Sequence, residues 1–334
     1  MLSCIDSLKH PEAYPHETDE ILLLQTHISY VFLAGDYVYK IKKPVDFGFL
    51  DFTTLAKRKY FCEEELRLNR RLCPDIYLEV VPIKCSGESY YIGGDSGETV
   101  EYAVKMARMP EDRMMNNIIA CGNLGPEMLE RIVDILVPFY RAAPGGPEIS
   151  NFGSPDAVGR NFRENFQQTE EFVGGTVLSR DQYSIISSYA EEFLSRGDLF
   201  HQRQVEGRIR DGHGDLHSAN ICLTDKVYIF DCIEFNPRLR YCDVACDVAF
   251  LAMDLDYHGL DGLAEKFIAS FVGKSGDNGL HDVLAFYKCY RAYVRGKIGL
   301  FTGHAQEIDG ATRSAGLEQA SRYLKLAETY AKGN

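Results

Sequence analysis

His213-Gly214-Asp215-Leu216-His217-Ser218-Ala219-Asn220 sets an aspartate and an asparagine five positions apart, and a short apolar run downstream ends in Asp231. These residue types at this spacing suit phosphoryl transfer. Asp215 has no apparent partner in sequence and can accept a hydrogen bond from an acceptor hydroxyl. The amide oxygen of Asn220 and the carboxylate of Asp231 are hard ligands of the kind magnesium takes beside phosphate and water. Transfer of a γ-phosphoryl group passes through a loose transition state, so catalysis is mostly positioning and charge neutralisation.

The elements around the motif can bring those groups together. Ile221-Cys222-Leu223 and Val227-Tyr228-Ile229-Phe230 read as short apolar strands, with Thr224-Asp225-Lys226 as the turn between them. Asp215 and Asn220 bracket the loop that enters this hairpin, and Asp231 stands where its second strand stops. All three side chains can converge at the hairpin's open end.

Upstream, residues 20–43 read as strands with a Gly35-Asp36 turn. Residues 53–72 read as a helix, capped by Thr53 or Thr54 and closed by Cys73-Pro74. Further strands follow at 76–85, 89–94 and 99–109. Beyond Met109-Pro110 helical patterns dominate, at 113–121, 126–141, 179–203, 243–257, 262–272, 280–300 and 313–332. The Gly-, Pro- and Ser-rich stretch 141–159 reads as a loop. The chain is therefore expected to be α+β and bilobal. A small antiparallel-sheet lobe with one main helix spans 1–109, and a larger, mostly helical lobe spans 110–334.

Residues 213–247 resemble the aminoglycoside phosphotransferase and choline kinase group of the protein-kinase-like fold. The shared pattern is HGDxxxxN, a strand-ending Asp, and an Asp-containing segment leading into DxA, here Tyr241-Cys242-Asp243-Val244-Ala245-Cys246-Asp247-Val248-Ala249. The resemblance implies that Asp215 is the catalytic base, that Asn220 and Asp231 bind magnesium, and that Asp247 braces the catalytic loop, with His213 in support. YKIKKPVDFGFLDFTTLAKR and EEELRLNRRL resemble a bacterial branch of that group in which some members carry a P-loop domain. Gly273-Lys274-Ser275 forms no such loop, because Ile268 stands where the first glycine is needed.

A kinase-like site also needs a strand lysine on the nucleotide phosphates, held by a helix glutamate. Lys40 and Lys42 share one strand face. Lys40 is preferred, because Val38 precedes it by two and can cover adenine. Of Glu63, Glu64 and Glu65, the last stands seven before Leu72, as in the resembling group. Thr26-His27-Ile28-Ser29 replaces a glycine-rich loop, with Ser29 a candidate for the β-phosphate. The backbone of Met106, Ala107, Arg108 and Met109 is the candidate adenine contact. Glu234 is a further candidate for the metal.

The implied cofactors are ATP and Mg2+, and the implied acceptor is a hydroxyl of a small molecule. Alternatives are a protein-modifying enzyme, transferring phosphoryl or AMP, and a non-catalytic nucleotide-binding module. A net charge of -13 argues against a nucleic-acid partner, which needs a basic face. No stretch approaches the ~20 apolar residues of a membrane span, and the N-terminus carries no signal pattern. The ten cysteines form no CxxC pair and are expected to be reduced thiols of a cytoplasmic protein. The overall acidity, with Asp254 and Asp256 just past the motif, suggests a neutral or cationic acceptor. Arg291 and Arg295, at i and i+4 on one helix, are expected to pair with those two aspartates; the alternative is that they face the cleft and bind a phosphate or acid on the acceptor, which would suit an anionic one.

Overall fold

A computed structural model describes residues 2–306 and 308–333. It has the expected α+β composition, an antiparallel sheet and a mostly helical remainder. The chain divides into two compact units. One comprises residues up to Ile118 together with Asn220–Pro237, and the other comprises Ile119–Ala219 together with Arg238 onward. The hairpin that follows the motif, expected with the helical half, thus packs with the sheet.

In the first unit, six antiparallel strands run β1 (Ile21–Gln25), β2 (Ser29–Ala34), β3 (Tyr37–Lys42), β4 (Tyr77–Ser86), β5 (Ser89–Ile92) and β6 (Glu98–Ala107), in the spatial order β1-β2-β3-β6-β4-β5. β2 and β3 are joined by a two-residue turn in which Gly35 has φ 57°, a conformation glycine enters without strain. Alternation along β3 decides its two faces. Tyr39 and Ile41 point into a core shared with Phe32, Ala34, Ile83 and Ala103. Val38, Lys40 and Lys42 point the other way, where the helix Leu55–Asn69 packs on the sheet. That helix is capped by Thr54, whose side chain accepts from the Lys57 amide at 3.2 Å. It is anchored by Arg58, buried against Glu101 at 2.8 Å and the Phe52 carbonyl at 2.9 Å.

The strands β8 (Ile221–Leu223) and β9 (Val227–Ile229) form the hairpin. It is fixed within this unit by specific bonds. The Cys73 thiol contacts the Ile229 carbonyl at 3.3 Å, the Cys232 amide donates to Asn69 Oδ1 at 2.8 Å, and the Asp231 amide donates to the Tyr77 hydroxyl at 3.3 Å. Sequence spacing alone could not reveal these partners, which lie more than 150 positions away.

The second unit is built around Val244–Tyr257, a helix whose residues Val244 to Leu255 are all buried. A helix buried on every side, its two buried aspartates included, belongs at the centre of its unit. Leu280–His304 and Gly310–Lys332 form a close pair, because a Cβ at Gly299 would stand 2.6 Å from the Gly316 carbonyl oxygen. Two helices differ from the sequence reading. Pro155–Thr169 lies partly in the stretch read as loop. Its start carried a legible signal, Ser154 capping the Ala157 amide with Pro155 in the first turn. The segment 179–203 is two helices, Arg180–Leu194 and Gly197–Val205, with Arg196 out of helical conformation between them.

The short strands β7 (Ile209–Asp211) and β10 (Tyr241–Asp243) pair antiparallel and frame the motif on both sides. Behind them Arg203 is sealed between Asp243, at 2.6 Å, and Asp277. Burial opposes the charge, but the two carboxylates outweigh it and raise the guanidinium's pKa. Among the described residues all cysteines are free thiols, and no helix is long and apolar enough to cross a membrane.

Replacing Arg203 by Leu would leave two carboxylates buried without their cation. Urea denaturation should show a loss of about 3–5 kcal/mol. A loss under about 1 kcal/mol would mean that the carboxylates are not truly sequestered.

Candidate active site

The motif loop of the second unit is held by one buried carboxylate. Asp247, on the first turn of helix Val244–Tyr257, accepts the His213 amide at 2.7 Å on Oδ2 and the Gly214 amide at 2.9 Å on Oδ1. The Tyr140 hydroxyl donates to the same Oδ2 at 3.1 Å. Gly214 has φ 85°, which suits glycine alone, and a Cβ on Gly212 would come 2.5 Å from Asp247 Oδ2. The two glycines therefore let the backbone wrap the carboxylate.

Arg291 completes this clamp. Its guanidinium donates to the Gly214 carbonyl at 2.8 Å and to the Cys246 carbonyl at 3.3 Å, and it lies 3.4 Å from Asp247. The expected pairing of Arg291 with Asp254 or Asp256 does not occur. Asp254 instead accepts the Ser218 amide at 2.8 Å and the Tyr323 hydroxyl at 3.4 Å. Asp256 takes Lys288 at 2.7 Å and the Tyr330 hydroxyl. Helical spacing had put Arg291 and Arg295 together but could not show that 291 faces the loop.

Asp215 is held with its carboxylate partly exposed. Its amide donates to His213 Nδ1 at 3.2 Å, and His217 Nε2 stands 3.4 Å from its Oδ2. Burial alone would raise its pKa, but His217, Arg295 and His213 together hold it well below the usual carboxylate range. Asp215 is thus ionised at neutral pH and oriented to accept a hydrogen bond. His217 was not singled out from sequence, although it stands inside the motif two residues past Asp215.

In the first unit two lysines and three carboxylates form one cluster. Lys40 lies 2.8 Å from Glu65 and 2.5 Å from Asp231. Lys42 lies 2.7 Å from Glu65 and contacts Glu234. Lys42 is sealed, with 1% of its side chain exposed, whereas Asp231 at the other end is 42% exposed. The cluster therefore runs from an interior pair to an accessible edge occupied by Lys40 and Asp231. Glu63 and Glu64 point elsewhere, to Lys59 and Arg67. Burial would raise the Glu65 pKa, but Lys40 and Lys42 hold it down at about 2. Glu234 is pushed up, by burial first and also by the Glu65 charge. It is buried against Lys42, a structural position rather than a metal-facing one.

Asp231 has φ 61°, the only non-glycine residue with positive φ among the described residues. Such a conformation costs free energy in an aspartate and persists where surrounding bonds impose it. Asn220 is buried, and its carbonyl accepts the Phe230 amide at 3.0 Å, which sets it across the hairpin from the residue preceding Asp231. The pair offers one amide and one carboxylate oxygen, and the cluster holds three carboxylates against two ammoniums. Hard oxygen donors with a formal negative excess fit a magnesium ion that completes its shell with phosphate and water.

Ser29 is fully buried and its Oγ has no hydrogen-bond partner. At the end of β6 the Ala107 amide donates to the Ile76 carbonyl at 2.9 Å, and the Arg108 amide to the Asp36 carbonyl at 2.8 Å. Both are engaged within the fold. Met106 pairs with Val38 across the strands, on the lysine face.

This chain has the aminoglycoside phosphotransferase and choline kinase-like fold. Its full length superposes on a kanamycin and GDP complex of APH(2")-IIia with a TM-score of 0.55 at 14% identity, covering 98% of that chain. A choline/ethanolamine kinase family protein from Mesorhizobium loti gives 0.54 at 13%, over 98% of this chain and all of the other. Amicoumacin kinase hAmiN, in complex with AMP-PNP and Ca2+, gives 0.56 at 12%, over 96% and 89%. At such identities the likeness is one of fold. In sequence, uncharacterised proteins of Mycobacterium tuberculosis and Mycobacterium bovis are 35% identical over 295 residues, 86% of this chain and 56% of theirs. The chain thus spans about half the length of the curated relatives it matches. No family model matches it.

Two outcomes are expected of this geometry. Asp247→Asn should cost about 3 kcal/mol or more in denaturant melts, because it leaves the Arg291 charge without its buried carboxylate. A neutral result would show that the loop holds itself. Glu65 is depressed from 4.5 to about 2, so its contribution to stability is complete above pH 4.5 and lost as pH falls toward 2. Glu65→Gln should flatten that acid limb of a stability–pH profile. A limb identical to that of the parent chain would assign acid unfolding to other groups.

Proposed function

We propose that the protein is an ATP- and magnesium-dependent phosphotransferase that moves the γ-phosphoryl group to a hydroxyl of a small molecule, acting in the cytoplasm. The observation that carries this reading is the Lys40 ammonium, bonded at once to the interior Glu65 and to the strained, accessible Asp231. A purely structural ion pair does not need an aspartate in the left-handed region at the edge of a polar cluster.

In this reading Lys40 holds the nucleotide phosphates and Glu65 fixes its reach. Val38, two residues before it on the same face, covers the base, whose edge is read by the backbone at 106–109. Since the Ala107 and Arg108 amides are engaged, the Met109 amide is the donor for that task. The Ser29 hydroxyl is the further polar group for the β-phosphate. Asn220 and Asp231 hold the metal, which supplies neutralisation of phosphate charge when bound. An Asp231 engaged in this way would give up its bond with Lys40 and leave the ammonium to phosphate.

Asp215 receives the acceptor hydroxyl. An ionised carboxylate of low pKa orients the hydroxyl and takes its proton late, as a loose transition state requires. His213, Asp247 and Arg291 keep the loop in place. Five residue steps join Asp215 to Asn220, so the chain itself limits their separation to roughly 17 Å.

Calorimetry should detect Mg-ATP binding, and nucleotide should raise the melting temperature by mass action. Asp231→Ala should weaken that binding. Asp215→Ala should spare it while lowering turnover by roughly 10²–10⁴-fold. No heat and no thermal shift with millimolar Mg-ATP would refute the phosphotransferase reading. Labelling of a partner protein without small-molecule turnover would move it to the protein-modifying class.

A further inference from the structure

The carboxylates that suggested a cationic acceptor are not available for one. Asp254 is spent on the Ser218 amide and the Tyr323 hydroxyl, and Asp256 on Lys288 and Tyr330. Glu164, on helix Pro155–Thr169, is taken by Arg238 through two bonds, one of 2.9 Å. Each of these acidic side chains in the second unit already serves the fold.

The helix Leu280–His304 carries the opposite charge. Arg295 is half-buried, its guanidinium 5.6 Å from the centre of the Tyr323 ring. It lies close enough to Asp215 and Asp254 to feel both charges. Yet its Nε is buried and makes no hydrogen bond. An arginine carries five N–H donors and a buried one left unmade is costly. Two residues on, Lys297 bonds only neutral amide oxygens, of Asn165 at 2.5 Å and Gln168 at 2.7 Å. Burial first, and then Arg238, lowers its pKa to about 8.

We infer that Arg295 is an acceptor-binding residue, and that the acceptor is a small hydroxylated molecule bearing an oxyanion, a carboxylate or a phosphate, near the hydroxyl presented to Asp215. The inference rests on the phosphotransferase reading and deepens it. A planar guanidinium whose Nε–H has no partner matches either oxyanion through paired bonds. The Tyr323 ring, 5.6 Å from the guanidinium, packs beside this side chain. A cationic acceptor would meet the same guanidinium as a repulsion, which excludes it.

The test has two arms. In the first, ADP release with Mg-ATP is measured on glycerate, gluconate, glucose 6-phosphate and glycerol 3-phosphate, and on choline, glucosamine and kanamycin. Turnover is expected among the anions, with carboxylates and phosphates telling the two oxyanions apart. Arg295→Gln should raise the KM of the productive anion about 10- to 100-fold and leave the KM of ATP in place, while Arg295→Lys restores part of the loss. In the second arm, thermal shift and calorimetry read binding of the same compounds without nucleotide, for the parent chain and for Arg295→Gln. Anion binding that Arg295→Gln abolishes supports the inference even if no panel member is turned over. Turnover or binding of the amines, an unchanged KM in Arg295→Gln, or no anion binding at all would overturn it. Failure to bind Mg-ATP would instead strike the phosphotransferase reading, and the second arm registers independently of it.

Discussion

The second unit depends on what the Asp247 carboxylate does without water. A buried charge is tolerated only when it is paired and its lone pairs are filled. Here two loop amides, a tyrosine hydroxyl and a guanidinium fill them. The consequences spread outward. The loop needs glycine at 212 for room and at 214 for its backbone angle. Arg291 must come from a helix that reaches the loop, and Tyr140 from another. The shape of the loop is thus set by satisfying one charge, and Asp215 inherits its orientation from that solution.

The first unit solves a different problem. It holds two ammoniums among three carboxylates, one end sealed and the other accessible. Glu65 draws Lys40 inward and Asp231 draws it outward, while Lys42 and Glu234 close the interior side. Sharing Glu65 between two lysines stiffens both. The strained backbone at Asp231 is held by the Tyr77 hydroxyl on its amide and by the neighbouring bond from Cys232 to Asn69. Pre-organisation here is distributed over β3, one helix and the hairpin.

What could be read from sequence was what depends on short spacing. The strands, the main helix and the motif's turn follow from alternation, caps and the run from 213 to 231. Lys40 was chosen over Lys42 on a two-residue offset and Glu65 on the resembling group's seven-residue offset; the observed contacts give Glu65 to Lys42 as well as to Lys40. What could not be read depends on distant partners. Nothing local says that Cys73, Asn69 and Tyr77 capture the hairpin, or that Arg291 turns toward Gly214 rather than Asp254. The helix 155–169 was lost for another reason: a glycine- and proline-rich approach masked the Ser154-Pro155 start. The acidity of the chain does not say which carboxylates are already spent, as Asp254 and Asp256 are, on partners within the fold.

The discontinuity of the first unit bears on how the chain is made. During synthesis the six strands and their helix emerge before residue 119, with β3 and its two lysines already complete. Their remaining partners, Asp231 and Glu234, lie beyond another hundred residues that belong to the second unit. At a ribosomal pace of about 5–20 residues per second, the lysine face waits several seconds or longer for its last two carboxylates. Through that interval Glu65 alone faces both ammoniums. The lysine face therefore passes through a stage in which two ammoniums share one carboxylate, and its accessible edge is the last part of that unit to be neutralised.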